Sequence, residues 1–159
     1  MIYDFAPAAY MSTGLDPVTY ARKSSIDDLT NSMLLGMDAG ELKPVELPLE
    51  HFHPAGLYGR KIFMPAGTVL TSRVHTQQHL TAVLAGKCRV IDQDGTETMV
   101  EAPAAWITEP GTHRALHIIE DSIWLTVHAT DQTDVAELEE TLTCPTWADY
   151  QTKLIGGNV

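Results

Sequence analysis

Seven histidines occur in this chain, and five of them, His75, His79, His113, His117 and His128, fall in one strand-rich stretch. Neutral imidazole is a good ligand for zinc, iron, nickel or copper, but a stable site needs a third and usually a fourth group. On one continuous strand, His75 and His79 would stand roughly 13 Å apart, too far to share an ion. Thr76-Gln77-Gln78 must therefore bend the chain so that the two rings meet from neighbouring strands. His128 is the preferred third ligand, because it lies within a regular strand. His113 and His117 share a face opposite Arg114, Leu116 and Ile118 and are weaker candidates. Arg73 and Arg114 add a second chemistry. Pointing inward beside the histidines, they would bind a carboxylate or phosphate through paired hydrogen bonds. Pointing to the rim, they would pair with Glu101, Glu109 or Glu120.

Other residues read as structural. Trp106, Trp124 and Trp147 suit packing positions. Cys88 alternates with Val90 as a small buried residue. His51 and His53, just before Pro54, suit an exposed loop. No Ser-His-Asp order, phosphate loop or dinucleotide fingerprint is present, so no catalytic residue is assigned.

The elements that must position these groups fall into three zones. Residues 1–55 read as an arm with short helices. Asp16-Pro17 has the form of a helix start. Ser25-Ile26-Asp27-Asp28 opens a second helix, in which Ile26, Leu29, Met33, Leu34 and Met37 make one apolar stripe. Leu42 to Pro54 reads as extended chain. Residues 56–130 read as eight short strands: Leu57–Met64, Thr68–Val74, His79–Leu84, Lys87–Asp92, Thr96–Glu101, Ala104–Thr108, Arg114–Ile119 and Ser122–Ala129. Pro65-Ala66-Gly67, Gly86, Asp94-Gly95 and Pro110-Gly111 punctuate them. Strands without intervening helices indicate an antiparallel barrel or sandwich. On the last strand, Trp124, Thr126 and His128 alternate with Ile123, Leu125 and Val127. The apolar set is the natural packing face, so the cavity-facing side stays open. Residues 131–159 read as a helix capped by Thr133, with Val135, Leu138 and Leu142 on one face, then a short amphipathic segment through Trp147, Tyr150 and Leu154.

Composition bounds the function. The chain has 159 residues and a net charge of −11, from 21 acids against 10 bases. Phosphate backbones and anionic lipid would repel it, which argues against nucleic-acid or membrane binding. The two cysteines, Cys88 and Cys144, form no metal or redox pair. The first residues lack the features of a signal peptide, and the reading is of an intracellular, cytoplasmic protein.

The motif spacing resembles the cupin superfamily over roughly residues 57–130. Its first motif ends in His-x-His, a glutamate and a glycine at fixed intervals. Here Gly86 takes the glycine place, His79 stands at the glutamate and His75 at the second histidine, while Arg73 replaces the first. In the second motif, after Pro110-Gly111, Arg114 replaces the histidine and Ile118 the asparagine. The resemblance implies a mainly β, single antiparallel jelly-roll barrel with a helical N-terminal arm and a short C-terminal helix. It also implies a divalent transition metal (zinc, iron, nickel or manganese), but with two of the usual ligand places taken by arginine the family's three-histidine-one-glutamate centre is absent as such; His75 and His79 keep two of those places, and His128 joins them from the reading of the strands. The string from Glu120 to Trp124 and the closing His128-Ala129-Thr130 are similar to small cupin-domain proteins of tailed bacteriophages. That implies a binding or structural module, in the host cytoplasm or the virion, with other particle proteins as partners. A metal-dependent dioxygenase or isomerase acting on a small acid or sugar is the rival expectation. A third is a scaffold whose arms wrap neighbouring subunits. Homo-oligomerisation, by default a dimer, accompanies all three.

Overall fold

The computed structural model describes residues 8–11 and 26–157. The expected Asp16-Pro17 helix lies outside them. The described elements are, in order, β1 (Ala8–Met11), α1 (Ile26–Asp38), β2 (Leu49–Phe52), β3 (Leu57–Met64), β4 (Thr68–Thr71), β5 (Val74–His75), β6 (His79–Asp92), β7 (Glu97–Glu101), β8 (Ala104–Thr108), β9 (Arg114–Ala129), α2 (Val135–Leu142), β10 (Thr143–Cys144) and α3 (Trp147–Ile155). Among the described residues, no helix is long and apolar enough to cross a membrane.

The fold is a mainly β, antiparallel jelly roll organised by two long strands. β6 and β9 pair with each other from Leu80 opposite Val127 to Asp92 opposite Arg114. Around the first half of β6 the order is β2-β3-β9-β6-β8; around its second half it is β1-β4-β9-β6-β7. The two half-sheets share β6 and β9 and fold over one core. Among the described strands the hydrogen-bonding does not close on itself, so the expected barrel is open at its edges.

Two pairs of expected strands are each one strand, because the expected breaks are bends. Gly86 does not end a strand; it sits at φ 87° inside β6, where the register to β9 shifts. A β-carbon there would lie 2.3 Å from the Asp121 carbonyl oxygen and from Ser122 Oγ, so only glycine lets β6 and β9 bend together. The expected break between Ile119 and Ser122 is the matching bend of β9. β2 is a strand within the segment read as merely extended.

Between the half-sheets, Ile62, Met64, Leu70, Val83, Cys88, Val90, Leu116, Ile118 and Trp124 form the main core. α1 lays Ile26, Leu29 and Met33 on Val69, Ile91 and Ala115 of its own sheet. Its Thr30 hydroxyl also shares a 2.7 Å hydrogen bond with Thr71. Leu34, expected in that stripe, is exposed. The C-terminal arm also folds back: Leu138 and Leu142 of α2 bury Tyr58, and Tyr150 of α3 packs on Val74 and Cys144. Both apolar stripes expected to seek a neighbouring subunit thus cover the chain's own strands. α2 is capped by the side chain of Asp134, which accepts from the Glu137 N–H, rather than by Thr133.

Candidate metal centre

His75 ends β5, a two-residue strand held on several sides. β10 pairs with it, placing Thr143 opposite His75. The His75 N–H donates to the Thr112 carbonyl at 3.0 Å, its carbonyl accepts from Gly111 N–H at 2.7 Å, and the Thr76 N–H donates to the Leu142 carbonyl at 2.9 Å. Beyond it, Thr76-Gln77-Gln78 carries the chain across to β6, which starts at His79, the bend the spacing required. Leu80 faces Val127 on the adjoining strand, which brings His79 alongside His128.

The three rings converge. The ring centroids of His75 and His79 are 4.6 Å apart, and those of His79 and His128 are 4.2 Å apart. One ring nitrogen from each lies within 4.8 Å of the other two. His79 and His128 are 4% and 3% exposed. His75 Nδ1, His79 Nε2 and both nitrogens of His128 are buried with no hydrogen-bond partner. His79 Nδ1 lies 3.0 Å from the Gln77 carbonyl oxygen. A carbonyl only accepts, so Nδ1 carries the proton and Nε2 keeps its lone pair for a ligand.

The rings are uncharged at neutral pH. Burial lowers the pKa of all three, and that of His128 falls to about 3. The repulsion of His79 and Arg60 pushes His128 further the same way. Desolvation penalises the imidazolium, and a cationic neighbour penalises it again.

Beside the cluster lies a cavity of about 60 Å³, lined by His75 and His79 together with Arg60, Ser72, Thr81, Arg114 and Thr126 and by Ile62, Met64, Leu70, Leu116 and Trp124. The face of β9 that turns inward is therefore the mixed one: Trp124, Thr126 and His128 are buried, while Ile123, Leu125 and Val127 point outward. Trp124 Nε1 and Thr126 Oγ1 are buried without hydrogen-bond partners. The lining holds two guanidinium groups, an indole N–H and hydroxyls, and none of the residues lining it is an aspartate or glutamate.

The two arginines singled out in the sequence go different ways. Arg114 lines the cavity, with Nε donating to Asp92 Oδ1 at 3.0 Å and its guanidinium 5.8 Å from the Trp106 ring. Its partner is Asp92, not one of the three glutamates considered. Arg73 points to the C-terminal arm, where it pairs with Glu139 at 3.2 Å and donates to Thr143 Oγ1 at 2.8 Å. It does not line the cavity. Arg60 takes the inward place that sequence reading overlooked, 8% exposed. The signal was present: on β3, Arg60 alternates in phase with Tyr58, Ile62 and Met64, all of them buried.

The remaining histidines lie elsewhere. His113, 3% exposed, stands 3.7 Å from Asp27 of α1. His51 Nδ1 is 2.9 Å from the Tyr58 hydroxyl, and the Tyr58 ring leans on His128 with centroids 6.2 Å apart. Tyr58 thus backs the cluster from outside the cavity. Cys88, whose thiol burial raises to about 12, is a packing residue.

No family model matches this sequence, and no curated protein matches it. Solved structures do. An uncharacterized conserved protein with a double-stranded β-helix domain from Klebsiella pneumoniae is 19% identical, with 58% of this chain and 85% of that one covered and a TM-score of 0.48. The cupin domain of Cnp3 from Schizosaccharomyces pombe is 19% identical over 60% of this chain and 74% of that one, with a TM-score of 0.45. A cupin-2 domain protein from Shewanella frigidimarina is 8% identical over 59% and 91%, with a TM-score of 0.44. These neighbours are cupin and double-stranded β-helix domains.

Proposed function

We propose that this chain binds a divalent transition metal through His75, His79 and His128 and offers it to a small anionic ligand in the adjoining cavity. The observation that carries the proposal is the convergence of three uncharged imidazoles, two buried and one half-buried, with ring nitrogens within 4.8 Å of one another and with buried, unpartnered nitrogens on each ring. Each buried polar atom left without a partner costs about 1–3 kcal/mol, a cost that a shared cation would remove. Three histidines without a carboxylate suit zinc, iron, nickel or copper; manganese is better matched by oxygen ligands and suits this set least. Three protein ligands also leave a coordination position for water or a bound molecule. When bound, the ion would supply Lewis acidity at the cavity wall.

The rest of the site belongs to the chain. The Gln77 carbonyl fixes the His79 tautomer. Arg60, Arg114, Trp124 and Thr126 offer donors, a set that complements a carboxylate or another oxyanion. The apolar walls exclude bulk water, which strengthens those hydrogen bonds. At about 60 Å³ the space suits a ligand of a few heavy atoms. The absence of a carboxylate base among the lining residues is why binding ranks ahead of a dioxygenase or isomerase activity. A place in a phage particle or host cytoplasm is the setting suggested by the residue string around Glu120–Trp124 and His128.

Elemental analysis of tag-free protein, purified without chelator, tests the proposal. Close to one transition-metal ion per chain is expected, and His79→Ala should lose it. Metal content well below one ion, unchanged by that substitution, overturns the reading.

A further inference from the structure

The outer face of the half-sheet β2-β3-β9-β6-β8 is apolar where a solvated sheet face would alternate to polar. On the central strand β9, the outward side chains are Ile123, Leu125 and Val127. On β6 they are Leu80, Ala82 and Leu84, and on β8 Ala105 and Ile107. Cross-strand pairing makes them one surface: Leu80 lies opposite both Val127 and Ile107, and Ala82 opposite both Leu125 and Ala105. Leu84 and Ile107 are 52% and 53% exposed. Glu50 and Lys61 are the charged residues facing outward from these strands, and they pair with each other at 2.7 Å.

We infer that two copies of this chain associate through this face, with a two-fold axis lying along β9. Three observations select a second copy as the occupant. The first is area. Phe52, Leu57, Phe63, Leu80, Leu84 and Ile107 are each 37–53% exposed. Together they present on the order of 500 Å² before the half-buried β9 residues are added, at the upper end of the patches monomers show and near the ~800 Å² that each partner of a stable interface contributes. The second is charge. At a net −11, two copies repel each other wherever carboxylates meet. This face carries one self-neutralised pair, so that repulsion is small across it.

The third is shape. The face has a groove at one side and projecting side chains at the other. The groove, about 370 Å³, runs between Phe52, Leu57, Leu125 and Val127 over Gly59. Leu84 and Ile107 project from β6 and β8. β9 is the middle strand of the five, so a two-fold axis along it lays β8 of one copy over β2, and β6 over β3, of the other. Each copy then sets its Ile107 over Phe52 at its partner's groove and its Leu84 over Phe63 beside it, as an isologous contact requires. Two sheets stacking in this way form a face-to-face sandwich about 10 Å thick.

Light scattering and sedimentation velocity on the full chain at micromolar concentration test this. A dimer is expected, tightened by added salt, which screens the acidic self-repulsion. Ile107→Glu and Leu84→Lys, at half-exposed positions, should each weaken association at least tenfold with unchanged circular dichroism and metal content. Met99→Glu, an equally exposed position on β7, should leave the dimer intact. Mixing Ile107→Cys with Phe52→Cys chains should give a cross-linked heterodimer, because the register sets these two positions level on β8 and β2, a readout that needs no disruptive substitution. A monomer throughout, a larger assembly, or a dimer indifferent to both charged substitutions overturns the inference. So does cross-linking of Ile107→Cys chains with one another in preference to the mixed pair.

Discussion

Acidification separates a largely buried cluster of neutral imidazoles from a set of ordinary surface histidines. In the unfolded chain a histidine titrates near 6.5, whereas burial and the nearby charges of His79 and Arg60 hold native His128 down to about 3. Below pH ~6.5 the unfolded state therefore binds more protons than the native state, and by linkage native stability falls as pH falls. Each pH unit in that window is worth about 1.4 kcal/mol per such histidine. Going from pH ~6.5 to ~5, His128 alone removes on the order of 2 kcal/mol. His75 and His79 are shifted in the same direction and steepen the loss. Most carboxylates are still ionised over this interval, so the histidines dominate. Urea unfolding of chelator-treated protein at several pH values between ~7 and ~5 gives the slope directly. His128→Phe keeps a ring in place and removes one titrating group, so its slope should be lower by up to about 1.4 kcal/mol per pH unit. A flat profile, or the same slope in the variant, would show the rings to be hydrated or protonated in the native state. The case for a metal would then lose its basis.

Saturating zinc at neutral pH should stabilise the protein by about 2.7 kcal/mol at a hundredfold excess over Kd, seen as a rise in Tm that His79→Ala abolishes. Arg60→Met should weaken binding of acetate, followed by calorimetry on zinc-loaded protein, by roughly 10- to 100-fold, the worth of a charged hydrogen bond. Gly86→Ala should cost at least ~3 kcal/mol in chemical unfolding, because it adds backbone strain at φ 87° to contacts of 2.3 Å. Leu138→Ala, at a side chain 1% exposed against Tyr58, should cost about 2–5 kcal/mol. A near-neutral result there would mean that the C-terminal arm is not part of the cooperative unit.

The strand boundaries were legible where local chemistry sets them. Leu57–Met64 and Ala104–Thr108 carry alternation, and Asp94-Gly95 joins β6 to β7 as a tight turn. Gly86 misled because glycine with positive φ serves a turn and a bulge equally well; the close approach of Asp121 and Ser122 decides between them, and that is tertiary. Distance alone showed that His75 and His79 could meet only if Thr76-Gln77-Gln78 bent the chain, and that is where the chain bends. The ordering of His75 by β10 was not legible, since a two-residue strand has no period to detect. Arg60 was hidden by its neighbours: Arg60-Lys61 looks like a solvated basic pair until alternation is applied residue by residue.

β9 joins the two proposals. Burying the more apolar set of a strand is the ordinary choice, and it would place Ile123, Leu125 and Val127 inside. This strand does the opposite, and shifting its register by one residue would exchange the two faces completely. Inside, such an exchange would remove His128 from the other two rings and replace the donors of Trp124 and Thr126 with hydrocarbon. Outside, the present register leaves a stripe of β-branched and leucine side chains in water, which a lone domain gains nothing by exposing. A chain that keeps this register needs both an interior that rewards polar groups and an exterior partner that rewards apolar ones. A cation bound by the histidines would supply the first, and a second copy on the same strand's outer face would supply the second. Substitution of Leu125 by threonine should therefore loosen the dimer while leaving metal content intact, whereas His128→Phe should do the reverse.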